Sequence, residues 1–384
     1  MTHRKHSNTV AHLLPLVSLI LIALTATPAS AQSSTPWWER IDFGGDFRAR
    51  YESFYEDAKT PRHRVRMRLR LRLDTDINDD THFELQVASG DPGTPVSTNQ
   101  TFTNFLLPKP FNLDRAALTY RPPVAPALTL GAGKFTFPVT RTQMTWDDDV
   151  NWEGGFQQVA WDLSPHAAVK IVAIETALNE VKAGEDAFMV GAYGEFSFTL
   201  GRYAFQISGA NYGFGRVDQI AVATSTGPLE SINTNRLALG PAGEVIGFAS
   251  DFNLVDVIGE VSIDTGRAEY PVRLLADWVR NTGATTDRDS GVWLEVGYGR
   301  GRSAGTFSTG YTFGHVEEDA VLSPFVFSDM PGSNLTLHMV EASYVLAPGL
   351  SIDFTLHVTK RLLVPTDSAN PFRVRPHLAA VARF

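Results

Sequence analysis

The chain has 384 residues, with 42 acidic against 33 basic side chains, a formal charge of −9 and no cysteine. That balance excludes a nucleic-acid-binding exterior, which needs a basic face, and the missing cysteines leave burial and backbone hydrogen bonds to hold the fold. Past the N-terminus no apolar run approaches the roughly 18 residues of a spanning helix, which excludes a helical membrane protein but not one that crosses with alternating strands of near-neutral hydropathy.

Residues 1–31 read as a secretory signal peptide. His3, Arg4, Lys5 and His6 form a basic head, "LLPLVSLILIALTA" an apolar stretch, and Ala29 and Ala31 an A-x-A arrangement with cleavage expected after Ala31. Residues 32–40, with Pro36, Trp37 and Trp38, form a short lead-in on the periplasmic side. A single β domain is expected over residues 41–384.

From Ile41 onward one pattern repeats, about ten alternating residues and then a turn. Phe47, Ala49, Tyr51 and Ser53 alternate with Asp46, Arg48, Arg50 and Glu52. Next, "RHRVRMRLRLRLD" sets Arg64, Arg66, Arg68, Arg70 and Arg72 against Val65, Met67, Leu69, Leu71 and Leu73. A period of two is a strand with opposite faces. One face must meet something oily and the other must keep five cations near water. If the oil is lipid, the arginines face a lumen, because a cation at the bilayer midplane costs about 2–4 kcal/mol. Asp46, Glu52 and Glu84 are placed to neutralise some of this charge locally.

The alternation returns in Phe188 to Phe198, Tyr203 to Ile207, Val272 to Trp278, Val292 to Tyr298, Leu335 to Met339 and Ile352 to Val358. Short connections ("INDDT", "DLSPHA", "TLGR", "LAPG") take turns with long ones, 90–112, 134–155, 214–250 and 315–333, as in outer-membrane barrels with short periplasmic turns and longer outer loops. Tyr51, Tyr55, Tyr120, Trp161, Phe196, Phe198, Trp278 and Tyr298 lie near expected strand ends, where aromatic girdles sit. Nine strands to Asn211, one from "FNLVDVIGEVSID" and six from Tyr270 give an all-β fold, a transmembrane antiparallel up-and-down β-barrel of 16 strands, with 18 as the alternative. The final strand must close on the first, bringing Arg373 and Arg375 to the same cationic wall as Arg48 and Arg50. "HLAAVARF" ends on an aromatic carboxylate, Phe384.

In the loop over 134–155, Asp147, Asp148, Asp149 and Glu153 crowd beside Trp146 and Trp152. Folded inward, they would oppose the arginines across a narrow lumen, and the transverse field would orient polar solutes. Asp147, Asp149 and Asn151 have part of a calcium-loop spacing, but Trp152 stands where the EF-hand needs glycine and Gln158 where it needs glutamate. No metal and no cofactor is expected. His63, His82, His166, His315, His338, His357 and His377 are scattered singly without a nucleophile signature, so no enzyme is expected. His82 and His338 read as lumen-facing polar residues.

The words "FGGDFRARYE", "RHRVRMRLRLRL", "VSTNQTF", "MTWDDDVNWEGGFQQ" and "DFNLVDVIGEV" resemble the bacterial putative porin family. The resemblance implies a water-filled barrel in a Gram-negative-type outer membrane for passive diffusion of small hydrophilic solutes. Lipid and lipopolysaccharide would surround it, and small polar or anionic solutes would pass. By analogy with 16-stranded porins a homotrimer is expected. A selective channel or exporter for anionic solutes or polysaccharides is the alternative, since guanidinium grips carboxylate and phosphate bidentately.

Overall fold

A computed structural model describes residues 36–182 and 184–384; the expected signal peptide and residues 32–35 lie outside them. The described lead-in is a single 3-10 turn, Trp37–Arg40. The strands then follow in order: β1 (Asp42–Glu56), β2 (Arg62–Asn78), β3 (Thr81–Ser89), β4 (Gln100–Thr101), β5 (Phe111–Tyr120), β6 (Leu128–Phe135), β7 (Trp152–Ser164), β8 (Ala167–Asn179), β9 (Ala187–Leu200), β10 (Tyr203–Gly215), β11 (Leu237–Leu239), β12 (Val245–Phe248), β13 (Asn253–Ile263), β14 (Val272–Asn281), β15 (Ser290–Tyr298), β16 (Phe307–Val316), β17 (Leu335–Ala347), β18 (Leu350–Arg361) and β19 (Arg373–Arg383). β11 and β12 pair only with each other, inside a long loop.

The other strands form one antiparallel sheet in which chain neighbours are sheet neighbours, and β19 closes on β1 from Asp46↔Arg383 to Glu56↔Arg373. The result is a closed 16-strand barrel plus β4, an extra short strand set against Arg66 and Met67 of β2. Closure leaves no edge strand unpaired, which a bilayer demands. The expected count is met, and "FNLVDVIGEVSID" supplies the single strand β13.

At one end of the barrel the turns are tight, 79–80, 165–166, 201–202 and 348–349; at the other the loops are long, 90–110, 136–151, 216–252 and 317–334. Gly349 shows why glycine sits in such a turn: its φ is +73°, and a Cβ would lie 2.4 Å from the Arg383 carbonyl oxygen. The barrel seam is sealed at the last residue. The Gly45 N–H donates to the Phe384 carbonyl at 2.8 Å, and the Phe384 N–H to the Gly45 carbonyl at 3.1 Å.

Along the strands Phe47, Val65, Leu118, Ile171, Val190, Ile207, Leu274, Leu294, Val340 and Phe354 are exposed on the outer face. They form the apolar band that meets lipid. Aromatic rings gather near the tight-turn end, with Phe198 and Phe205 stacked at 4.7 Å and Tyr270 and Tyr298 at 5.5 Å.

One expectation fails on β17. The apolar row of its alternation, Leu335, Leu337 and Met339, turns inward and is buried, packing against loops that enter the barrel. His338 consequently points outward, its Nδ1 2.7 Å from the Tyr311 hydroxyl. Alternation cannot tell a lipid-facing row from one that meets a protein core, because both are oily.

Candidate channel lining and constriction

β1 and β2 pair so that Arg48 lies opposite Arg68 and Arg50 opposite Arg66. Like charges directly across a strand pair repel, so the ladder needs counterions. Asp46 sits between Arg68 and Arg70, 2.7 Å from each. Glu52, fully buried, contacts Arg64, lies 3.1 Å from Arg50 and 2.8 Å from Arg375. Arg72 pairs with Asp74 at 2.5 Å and Arg373 with Glu56 at 3.1 Å. Glu84, by contrast, lies 3.6 Å from Arg115. Closure therefore brings Arg48, Arg50, Arg64, Arg66, Arg68, Arg70, Arg72, Arg373 and Arg375 onto one stretch of wall across β19, β1 and β2.

The counterion that sequence reasoning missed is Asp329. It comes from loop 317–334 and lies 2.8 Å from both Arg50 and Arg375. Burial alone would raise its carboxyl, but the Arg375 and Arg50 guanidiniums outweigh that and hold it well below the usual carboxylate range. His357 and His377 stand beside it, rings 4.7 Å apart. Asp329, His357 and His377 have potential ligand atoms within 4.8 Å of one another. Both Asp329 oxygens already contact guanidiniums, so this cluster is an ion-pair network in which two fixed cations oppose a metal ion.

The acidic loop does enter the barrel. Thr140 Oγ1 donates to Glu195 at 2.9 Å and Thr145 Oγ1 to Asp256 at 3.1 Å, while Thr142 donates to Asp277. These contacts tie residues 136–151 to the inner faces of β9, β13 and β14. Its four predicted carboxylates divide. Asp147 is buried and clasps loop 317–334: its backbone N–H donates to the Phe325 carbonyl at 2.8 Å and its Oδ2 accepts the Ser328 N–H at 2.5 Å. Burial, then the Asp149 charge, pushes its carboxyl well up, against the backbone donors of Asp149 and Ser328. The part-formed calcium spacing thus serves as a loop clasp. Asp148 is exposed near Arg141 at 3.5 Å. Asp149 accepts from Thr98 N–H and Oγ1 at 2.9 Å and approaches Arg70 at 3.6 Å. Glu153 is not in the loop at all: it belongs to β7 and pairs with Lys134 at 2.5 Å, on the face opposite buried Trp152 and Phe135.

Around these ties the barrel interior is packed. Trp146 stands amid Phe137, Trp152 and Phe325 at 5.3–5.7 Å, continuous with buried Met144, Tyr212, Phe252, Trp293, Leu322 and Leu335. Beneath this packing lies a cavity of about 770 Å³ bordered by Arg48, Arg50, Arg273, Glu295, Asp329 and Glu341. A closed barrel with an oily exterior, ionic interior and in-folded loops is the architecture of an outer-membrane channel.

Residues 53–238 match the family model of the putative porins. No curated protein matches. Among solved structures, OprB of Pseudomonas putida is similar over 90% of this chain and 94% of its own, at 13% identity and a TM-score of 0.57. The outer-membrane channel DcaP of Acinetobacter baumannii is similar over 93% of this chain and 100% of its own, at 13% identity and a TM-score of 0.53. OmpT of Vibrio cholerae, described in a trimer form, is similar over 90% and 99% at 9% identity and a TM-score of 0.51. At such identities the likeness shows the porin fold. The family match on this fold places the chain in the bacterial outer membrane as a channel.

Proposed function

We propose that this porin-fold channel passes small hydrophilic solutes by passive diffusion along the arginine wall. The supporting observation is the asymmetry of the interior. Apolar loop packing fills much of the interior, whereas the large cavity it leaves is walled by strands β14 to β19 and β1 and bordered by charge, Arg48, Arg50, Arg273, Glu295, Asp329 and Glu341. A solute confined there moves between guanidiniums and the carboxylates of Asp329 and Asp149, which favours polar over apolar cargo. The same packing argues against polymer export, which needs a wide clear lumen. A homotrimer in lipid and lipopolysaccharide is part of the proposal; OmpT of Vibrio cholerae is described in a trimer form.

Proteoliposome swelling tests it. Liposomes holding the folded protein should swell in isotonic glycine or a monosaccharide and stay unswollen in a large dextran. Failure to swell in any small solute, with the barrel folded, overturns the diffusion reading.

A further inference from the structure

The arginine wall is not uniformly neutralised. Arg50, Arg64, Arg68, Arg70 and Arg375 each have a carboxylate partner at 3.1 Å or closer. Arg48 has no carboxylate partner among the described residues, and Arg66 has only Glu52 at 3.7 Å, an oxygen that Arg64 approaches more closely. Both reach the same neutral residue instead. Arg48 Nη2 donates to Asn99 Oδ1 at 2.7 Å, and Arg66 Nη2 to the Asn99 carbonyl at 3.3 Å and Ser97 Oγ at 3.4 Å. The Nε of each guanidinium is buried and has no hydrogen-bond partner. One cation without a carboxylate in reach and another that shares its carboxylate with Arg64 are under-compensated, because a desolvated charge is offset fully only by a well-placed opposite charge. Asn99 immediately precedes β4, whose pairing with Arg66 and Met67 fixes the backbone there, but its side-chain amide, the group that Arg48 holds, can swing away while the arginines stay in register. Arg48 also borders the large cavity, which gives a small solute access.

We propose that Arg48 and Arg66 form a saturable binding site for a small oxyanion, a carboxylate or phosphate that displaces the Asn99 amide and bridges the two guanidiniums. The site rests on the channel reading for its purpose but not for its chemistry. A planar or tetrahedral oxyanion offers each arginine the paired oxygens that an amide cannot.

Calorimetric titration of the detergent-folded barrel with inorganic phosphate, and separately with acetate, measures the site directly; block of chloride current by the same anions measures it in the channel. Wild type should bind saturably, and the ratio of the two affinities identifies phosphate or carboxylate as the preferred group. Arg48→Gln with Arg66→Gln should weaken binding at least tenfold, and Asn99→Ala should strengthen it by removing the competing amide. Arg267→Gln, in an exposed turn, should change nothing. No saturable binding to folded wild type, or equal binding by the double variant, overturns the site. Binding that persists in a protein giving no conductance keeps the site and sinks the channel reading, so the two failures are distinguishable.

Discussion

Asp329 is the residue on which the ion network turns, because it alone ties loop 317–334 to Arg50 and Arg375. Removing one partner from a buried pair costs about 3–5 kcal/mol. Asp329→Asn should therefore speed amide exchange across loop 317–334 and shift the reversal potential toward anions, since two guanidiniums lose a carboxylate; unchanged exchange would contradict the latch. Its carboxyl is depressed in the folded state, so its stabilisation is present above the unfolded value near 3.9 and is lost as pH falls through the lower folded value. Loop exchange, corrected for intrinsic rates, should accordingly match at pH 5 and pH 7 and rise only below about pH 4. The arginines were legible because a period of two is local. Asp329 was not, since it meets Arg50 across 279 positions. One signal was available: "AVLSPFVF" is too apolar for a solvated loop and marks a segment that goes inside.

The strands follow from alternation, and a single inversion tests them. Leu69→Arg places a cation in the lipid-facing row of β2 and should cost about 2–4 kcal/mol in urea unfolding from lipid vesicles, provided the site lies near the midplane; a negligible cost would mean that Leu69 faces protein. The in-folded loop is a packing element of a different kind. Trp146 is 1% exposed, and truncating a buried aromatic costs about 3–5 kcal/mol. Trp146→Ala should loosen loop 136–151 and raise single-channel conductance, whereas a loop that did not restrict the lumen would leave conductance unchanged. Strand positions were readable in the sequence; the inward course of the loop was open there, and the roles of its acids were not legible. Asp147 is saturated by the Asp149 and Ser328 backbone donors, and Glu153 is turned outward by its strand register. Both facts depend on tertiary contacts that residue spacing does not encode.

As a whole the molecule combines a lipid-facing band fixed by sequence pattern with an interior that only folding assembles. The barrel, its closure on Phe384 and its strand count follow from local alternation plus the requirement that no edge meet lipid. The packing that leaves a charged cavity open beside Arg48 and Arg50 arises from three loops far apart in sequence. The measurement to make first is single-channel conductance and reversal potential in a planar bilayer under a salt gradient, comparing wild type with the triple variant Arg66→Gln, Arg68→Gln and Arg70→Gln. Discrete anion-selective channels in wild type, with selectivity shifted toward cations in the variant, are the expected result. A folded wild type without conductance, or a variant with unchanged selectivity, would contradict a path along the arginine wall.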